Sequence, residues 1–216
     1  MKVFVVHYSK LTERKQHMIT QFMKKGITDY EFVENFNKED ITPEQYSRFT
    51  ENIKPSMVSV SLKTFWIYNE IAQKYSSAII FEDDIILSEG FTQKLDMYLK
   101  ELPNDWDMVF IGDGCGLHIH KRQLIPFKRM YKKEHNISNW GGGGCTRCVD
   151  SYIVSNNCAR KLVNYLNSIE NQKIDKNIDH YLNDVARNLN LNVYWAEPTI
   201  VTQGSESGLF KSSHDK

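Results

Sequence analysis

One short run of apolar residues does most to restrict the fold of this chain. Residues 77–81 (SAIIF) carry no charge and end abruptly in three consecutive carboxylates, Glu82, Asp83 and Asp84. Such a continuous run is typical of an interior strand of a parallel sheet, where helices cover both faces. Open α/β sheets bind their ligands beyond the carboxyl ends of the strands. The run therefore predicts an α/β fold with an acidic cluster at its ligand-binding edge.

The rest of the chain alternates between strand-like and helix-like segments. We expect further strands at 3–6, 30–36, 108–112, 151–154 and 193–196. We expect helices at 12–25, 58–75, 88–102, 156–166 and 178–189, and a short helix within 38–53. Thr12 can cap the first helix and Gly26 can end it. This alternation indicates a mostly parallel, Rossmann-like sheet that is flanked by helices.

The length of 216 residues suits a single α/β domain over 1–216. Two segments depart from the regular alternation. Residues from about 114–147 follow no regular pattern, and the glycines at 141–144 predict a mobile loop because glycine loses much backbone entropy in regular structure. Residues from about 204–216 are rich in Gly, Ser and charge, which predicts a flexible tail.

The charge balance and the hydropathy limit the classes of partner. Lys plus Arg and Asp plus Glu both count 27, so the formal net charge of +0 gives no reason to expect nucleic acid. No stretch approaches the roughly 18 uninterrupted apolar residues of a membrane span. The apolar start at 1–6 is too short for a signal peptide. We therefore expect a soluble cytoplasmic protein that is at most peripheral at a membrane, and the oligomeric state stays open.

The cysteines leave two alternatives open. They are Cys115, Cys145, Cys148 and Cys158, which contain a single Cys-x-x-Cys pair. Paired Cys-x-x-Cys motifs are the usual signature of a structural zinc site. We therefore expect reduced thiols, with a four-thiolate zinc site as the alternative.

The three carboxylates, taken by themselves, also leave two interpretations open. At a strand end they are partly desolvated and repel one another. A bound divalent cation is the simplest way to offset this repulsion. Oxygen ligands suit magnesium and manganese, and so few carboxylates form an open site that is completed by water and substrate phosphates. The other interpretation is a solvated strand end or a helix cap.

Eight short stretches occur in an order that one enzyme family shares. They are residues 11–15 (LTERK), 61–66 (SLKTFW), 78–85 (AIIFEDDI), 106–112 (WDMVFIG), 151–155 (SYIVS), 159–162 (ARKL), 178–182 (IDHYL) and 198–203 (PTIVTQ). Together they resemble glycosyltransferase family 25, which includes bacterial lipopolysaccharide galactosyltransferases and collagen β-galactosyltransferases. Residues 81–85 are the most specific match, and the order of the stretches is the stronger signal. Leu62 and Asp150 stand where the family often has histidine.

This resemblance implies a function for the chain. It implies a GT-A-like fold, a UDP-sugar donor, manganese or magnesium, and inversion at the anomeric carbon. A hexose, galactose or glucose, would pass to a hydroxyl of a glycan or a glycosylated protein, as in lipopolysaccharide synthesis. An inactive nucleotide-sugar or glycan-binding module of the same fold is the alternative, which the intact Glu82-Asp83-Asp84 disfavours. A nucleotidyl- or phosphotransferase has less support, because the chain lacks a Gly-x-x-x-x-Gly-Lys-Ser/Thr loop.

Candidate ligands of the metal and the donor follow from the acidic cluster and from the resemblance. We assign Asp84 to the metal, and Glu82 to the metal or to the ribose. Gln203 matches the family as a third metal ligand, and His214 in the tail is an alternative. The donor-binding candidates are Arg14, Ser61, Lys63, Glu82, Asp83 and Gly112.

An inverting transfer needs a general base that takes the proton of the attacking hydroxyl. Asp179 is the first candidate, followed by Asp113 and Asp150. Asp179 could instead cap or solvate its own helix. Trp140 and the glycines at 141–144 form either a lid that stacks on the acceptor sugar or a plain surface loop.

Overall fold

The computed structural model describes residues 1–114, 116–135, 140, 144–169, 172–205 and 207–210. Its helices are α1 (Thr12–Lys25), α2 (Pro43–Ser47), α3 (Pro55–Lys74), α4 (Phe91–Leu99), α5 (Asn156–Ser168) and α6 (Ile178–Asn188), with a 3₁₀ turn at Lys121–Gln123. Its strands are β1 (Lys2–Val6), β2 (Tyr30–Val33), β3 (Ser77–Glu82), β4 (Ile85–Leu87), β5 (Met108–Phe110), β6 (Met130–Lys132), β7 (Ser151–Ser155), β8 (Val193–Ala196) and β9 (Val201–Gln203). Cys115, the glycines at 141–143 and the tail at 211–216 with His214 lie outside the described residues.

Seven strands form the central sheet, in the order β2-β1-β3-β7-β5-β8-β6. β1 pairs in parallel with β2 and β3, and β5 pairs in parallel with β8. β7 and β6 run opposite to the other strands. A second, two-stranded sheet pairs β4 with β9 in antiparallel fashion. The predicted fold class, a mostly parallel sheet flanked by helices, is confirmed.

Residues 78–81 of β3 are apolar, and both faces of the strand are covered there. Ala78 and Ile80 belong to one hydrophobic cluster, whereas Ile79 and Phe81 belong to the other. α3, α5 and α6 contribute to the first cluster, and α1 and α4 contribute to the second. Burying one isoleucine or phenylalanine side chain contributes about 1.5–3 kcal/mol. The two clusters therefore fix the pleat of β3 and with it the placement of the carboxylates that follow.

The helix ends test the local sequence signals. Gly26 ends α1 in the left-handed region at φ 69°, as the sequence predicts. Ser155 caps α5, since its side chain accepts a hydrogen bond from the Cys158 backbone N–H at 3.1 Å. The predicted cap at Thr12 is wrong, because Leu11 occupies the N-cap position and makes no side-chain hydrogen bond.

Several segments differ from the sequence expectation in extent, and two of them change the description of the fold. The helix predicted at 88–102 is shorter and begins at Phe91, behind Gly90 with its left-handed backbone at φ 65°. The stretch at about 114–147, predicted to be irregular, contains the 3₁₀ turn and β6. β6 pairs with β8 and so extends the central sheet by one edge strand.

The described residues bear on two further expectations. None of the helices among them has the length and apolarity that crossing a membrane requires. Cys145 and Cys158 are buried, which raises the pKa of Cys145 to about 12 and that of Cys158 well above its usual value. Because Cys115 lies outside the described residues, the four-thiolate zinc alternative stays open.

Candidate active site

The carboxylates after β3 line a cavity of about 560 Å³. Residues that follow β1 and β3 form part of its wall, so it lies at the carboxyl edge of the sheet. The predicted site residues that line it are Arg14, Lys63, Glu82, Asp83, Asp84, Asp179 and Gln203. The predicted site residues that do not line it are Ser61, Gly112, Asp113 and Asp150.

Asp83 is held by two buried basic side chains. His7 Nδ1 and Arg14 Nη1 each donate a hydrogen bond to its carboxylate at 2.7 Å. Burial alone would raise the pKa of Asp83, but these hydrogen bonds outweigh burial and lower the pKa below its usual value. Removing one partner of such a buried pair typically costs about 3–5 kcal/mol. These contacts favour a role for Asp83 in orienting its neighbours.

Asp84 and Glu82 are two further acidic residues of the cavity wall. Asp84 is 3% exposed; its Oδ2 lies 3.4 Å from Arg14 Nη1, and its Oδ1 has no hydrogen-bond partner among the described residues. Glu82 accepts a hydrogen bond from Gln203 Nε2 at 2.9 Å. Burial, reinforced by the charges of Asp84 and Asp150, raises the pKa of Glu82 well above its usual value. A buried carboxylate oxygen without a partner costs free energy, and a bound cation would remove that cost.

The strand register explains why these side chains meet. Val6 of β1 lies opposite Glu82 of β3, so the next residues along, His7 and Asp83, lie side by side. β9 pairs with β4 in antiparallel fashion, which returns Gln203 to the side chain of Glu82. The site is thus assembled where neighbouring parallel strands end and where a late segment of the chain comes back to them.

The segment after β9 folds back over Arg14. The Gly204 N–H donates to the Asp84 carbonyl at 2.6 Å, and the Phe210 ring centroid lies 5.3 Å from the Arg14 guanidinium carbon. A Cβ at Gly204 would come within 2.6 Å of that carbonyl oxygen, so glycine permits the close approach. Arg14, a donor-binding candidate from the sequence, therefore contacts the acidic cluster and Phe210 in this structure.

Lys63 is a buried cation in the cavity wall. Its Nζ donates to the backbone carbonyl of His7 and to Asn37 Oδ1, the latter at 3.1 Å. Burial lowers its pKa from 10.5 to about 8, although the negative charge of Asp83 opposes this shift. Lys63 therefore connects α3 to the segment after β1 through a hydrogen bond, and it adds positive charge to the cavity.

We expect protein stability to depend on Lys63 between about pH 8 and pH 10.5. In that range the unfolded chain keeps the lysine proton while the folded protein releases it, so the free energy of unfolding rises with pH. Below about pH 8 both states are protonated, and burial of the charge costs up to about 3 kcal/mol. Urea unfolding of wild type and Lys63→Met at pH 7.5 and pH 10 measures the effect. The stability of the variant relative to wild type should fall between pH 7.5 and pH 10, and a difference that is the same at both pH values would contradict this assignment.

Asp150 is a buried acid that supports the cluster from outside the cavity lining. It is 1% exposed, accepts a hydrogen bond from Ser151 Oγ at 2.8 Å, and its carbonyl accepts one from the Glu82 N–H at 2.8 Å. Burial, with the charge of Asp113, raises its pKa to about 7 despite the Ser151 hydrogen bond. A Cβ at Gly112 would come within 2.2 Å of Asp150 Oδ2, so the glycine after β5 makes room for this carboxylate.

Two other candidates, Ser61 and Trp140, do not line the cavity. Ser61 Oγ donates to the Met57 carbonyl at 2.9 Å, one turn earlier in α3. Trp140 packs edge-on against Trp195, with ring centroids 5.0 Å apart. The glycines at 141–143 lie outside the described residues, so the acceptor lid stays a prediction.

Asp179 lines the same cavity as Asp84. It is the second residue of α6, where a carboxylate also stabilises the helix through the helix dipole. Its Oδ1 accepts a hydrogen bond from the His180 backbone N–H at 2.8 Å, and Thr146 Oγ1 donates to its carbonyl at 3.3 Å. Of the three base candidates, Asp179 is the one that lines the cavity.

His7 is the site residue that sequence reasoning missed. Its signal was present, because it is the first polar residue after the buried strand β1, as Glu82 is at the end of β3. Residues at the carboxyl ends of neighbouring parallel strands lie at the same edge of the sheet. Applied to β1 as well as β3, this rule would have placed His7 next to the acidic cluster. The cavity is also lined by Ser59, Asn177 and Ser205. Their sequence context gives no signal that they belong to a site.

The described residues contain no group of three or more His, Cys, Asp or Glu side chains arranged to hold a metal ion. A closed cage is therefore not formed by the part of the chain that the structure describes. The open arrangement, in which two carboxylates share an ion with phosphate and water, fits the buried Asp84 Oδ1 that has no hydrogen-bond partner there. An all-oxygen ligand set suits manganese or magnesium.

Comparison with known protein families identifies this chain. The family described as "Glycosyltransferase family 25 (LPS biosynthesis protein)" matches residues 1–182. The chain belongs to glycosyltransferase family 25. The resemblance found in the sequence is thereby confirmed. In this family 25 chain, the matched residues include the three carboxylates at the end of β3.

Two viral proteins are similar in sequence to this family 25 chain. A candidate glycosyltransferase of Acanthamoeba polyphaga mimivirus is 26% identical over 120 residues, which cover 52% of this chain and 37% of the viral protein. The procollagen lysyl hydroxylase and glycosyltransferase of the same virus is 22% identical over 201 residues, which cover 79% of this chain and 20% of the viral protein. The chain thus spans well under half the length of each relative. A solved mutant of Drosophila β1,4-galactosyltransferase 7 with manganese, UDP-galactose and xylobiose is 12% identical, with a TM-score of 0.45 over 94% of this chain and 67% of that one.

Proposed function

We propose that this chain is a metal-dependent, inverting glycosyltransferase that moves galactose or glucose from a UDP-sugar to an acceptor hydroxyl. The observation that carries the proposal is the buried Asp84 Oδ1, which lacks a hydrogen-bond partner among the described residues and belongs to a residue of the cavity wall. Membership of glycosyltransferase family 25 supports the reaction class. The volume of about 560 Å³ suits a small-molecule donor, since ligand sites usually measure about 300–1,000 Å³.

In this proposal the three consecutive carboxylates have different roles. Asp84 and Glu82 hold the cation, while Asp83 stays bonded to buried basic side chains and fixes their position. A bound manganese or magnesium ion supplies stabilisation of the negative charge that develops on the leaving diphosphate. Gln203 orients Glu82 through the hydrogen bond between them. Its role as a third metal ligand stays a prediction.

Asp179 is the proposed general base. It takes the proton of the acceptor hydroxyl as the hydroxyl oxygen bonds to the anomeric carbon and the bond to UDP breaks, its electron pair leaving with UDP. Two features support this choice: Asp179 shares the cavity with Asp84, and its side chain is partly exposed and so accessible to an acceptor. Asp113 and Asp150 do not line the cavity.

The acceptor in this proposal is a glycan or a glycosylated protein. The description of the family names lipopolysaccharide biosynthesis, and one viral relative is named for procollagen. Acceptors of these two kinds both offer hydroxyl groups, which is the chemistry that a general base in the cavity requires.

Release of UDP tests the proposed reaction. The protein is incubated with UDP-galactose or UDP-glucose in manganese or in EDTA, and free UDP is assayed. We expect release that requires manganese. UDP binding without release would indicate an inactive binding module, and pyrophosphate release from a nucleoside triphosphate would indicate a nucleotidyltransferase. Either outcome, or the absence of both binding and turnover, would overturn the proposal.

A further inference from the structure

The turn between the 3₁₀ helix and β6 exposes a group of apolar side chains. Leu124, Ile125 and Phe127 are 41%, 54% and 91% exposed. The other strongly exposed large apolar residues in the described part of the chain are Met1, Met23, Met97 and Leu209, which stand apart from one another in the sequence. Single exposed apolar residues are normal at a protein surface, but a contiguous group marks an interaction site.

Basic residues flank this apolar group. Residues 121–133 contain no Asp or Glu, but they contain Lys121, Arg122, Lys128, Arg129, Lys132 and Lys133. Arg129 pairs with Glu101. Lys121, Arg122 and Lys128 form no ion pair with any described residue, and all three are exposed. The turn is therefore locally positive in a chain whose formal net charge is +0.

Phe127 has a strained backbone and gains little packing in return. The Lys128 N–H donates to the Ile125 carbonyl at 3.1 Å, which closes a β-turn with Pro126 and Phe127 at its centre. Phe127 has φ 66°, in the left-handed region that favours glycine or asparagine. Tyr131 Oη accepts a hydrogen bond from the Ile125 N–H at 2.9 Å and so holds the turn in place. A bulky side chain kept exposed at a strained position points to a function outside the fold.

We propose that the turn at 121–129 binds the surface of a bilayer that contains anionic lipids. Phe127, Ile125 and Leu124 enter the headgroup region, where apolar and aromatic side chains are stabilised. Lys121 and Arg122 lie beside them and attract anionic headgroups. The exposed lysines argue against a protein partner, because lysine is depleted in protein interfaces relative to the rest of the surface.

The position of the turn relative to the cavity fits a reaction at a membrane surface. Met130 at the start of β6 pairs with Ala196 at the end of β8, so the turn emerges at the carboxyl edge of the sheet. The carboxylates of the cavity follow β3 at the same edge. β6 and β3 are separated by three strands in the sheet order, which corresponds to about 19 Å at the usual strand spacing. A protein bound through this turn therefore keeps its cavity near the bilayer.

Cosedimentation of the whole chain with vesicles tests this inference. One vesicle preparation is phosphatidylcholine alone, and the other contains phosphatidylglycerol in addition. We expect binding to the anionic vesicles that weakens as salt increases. Phe127→Gly should weaken this binding about tenfold without lowering the thermal midpoint, because glycine suits φ 66°. Lys121→Gln combined with Arg122→Gln should weaken it about thirtyfold, which corresponds to about 1 kcal/mol per basic residue.

Met23→Ala is the matched control, because it removes an exposed apolar side chain from α1 and should leave vesicle binding unchanged. Absence of binding to anionic vesicles, or equal binding by wild type and the turn variants, would overturn the inference. A dimer in solution that dissociates in Phe127→Gly would also overturn it, since a second copy would then cover the turn. None of these measurements uses a sugar donor, so their outcome is independent of the proposed catalytic function.

Discussion

Replacing Asp84 with asparagine should lower manganese-dependent UDP release about a thousandfold. Loss of one group that stabilises charge in a transition state typically costs a hundredfold to a thousandfold in rate. The exchange keeps the shape of the side chain and removes the charge that the cation needs. The fold should be retained, because Asp84 Oδ1 has no hydrogen-bond partner among the described residues and Arg14 keeps its hydrogen bond to Asp83. Steady-state rates and thermal midpoints of the two proteins measure the effect.

Two variants sharpen the interpretation of the Asp84 result. Asp83→Asn should lower activity and should also lower the free energy of unfolding by about 3 kcal/mol, because it removes the charge to which buried His7 and Arg14 both donate. Asp96→Asn, an exposed acid on α4, should change neither quantity. A folded Asp84→Asn protein with nearly normal manganese-dependent turnover would refute the metal assignment.

Replacing Asp179 with asparagine should lower the transfer rate at least a hundredfold and change the affinity for UDP less than threefold. General base catalysis typically contributes a hundredfold to ten-thousandfold, whereas UDP offers no proton that Asp179 would take. Stability should fall by no more than about 1 kcal/mol, the usual contribution of a first-turn carboxylate to its helix. Transfer rates, UDP titration calorimetry and thermal unfolding separate these three quantities.

Asp184→Asn is the matched control for Asp179. It lies on the same helix and makes surface ion pairs with Lys176 and Arg187, which contribute little to stability. Its transfer rate should remain within twofold of wild type. If Asp179→Asn weakens UDP binding as much as it slows transfer, Asp179 is a donor-binding or structural residue and the base lies elsewhere.

The sheet could be predicted because its strands carry their signal in sequence. The run at 77–81 is apolar since both faces of β3 are covered, and Gly26 ends α1 because glycine adopts φ 69° without strain. β6 and β9 could not be predicted in this way. Each has three residues, too few to show a period of two, and each exists because a partner strand elsewhere in the chain pairs with it.

The composition of the acidic cluster was evident in the sequence, but the division of roles within it was not. Asp83 and Asp84 are chemically identical neighbours. The register of β1 on β3 places His7 beside Asp83, so Asp83 accepts a hydrogen bond from His7. One carboxylate oxygen of Asp84 has no hydrogen-bond partner among the described residues. Register is a tertiary property, set by the packing of both faces of the sheet. Sequence could therefore indicate a charged edge, but not which carboxylate holds an ion.

A crystal structure of the protein with UDP and manganese would test the proposed metal and donor site most directly. We expect one manganese ion bonded to the Asp84 carboxylate and to the diphosphate of UDP, inside the cavity that Asp179 also lines. A nucleotide bound elsewhere, or an ion that does not contact Asp84, would contradict the function proposed for this chain.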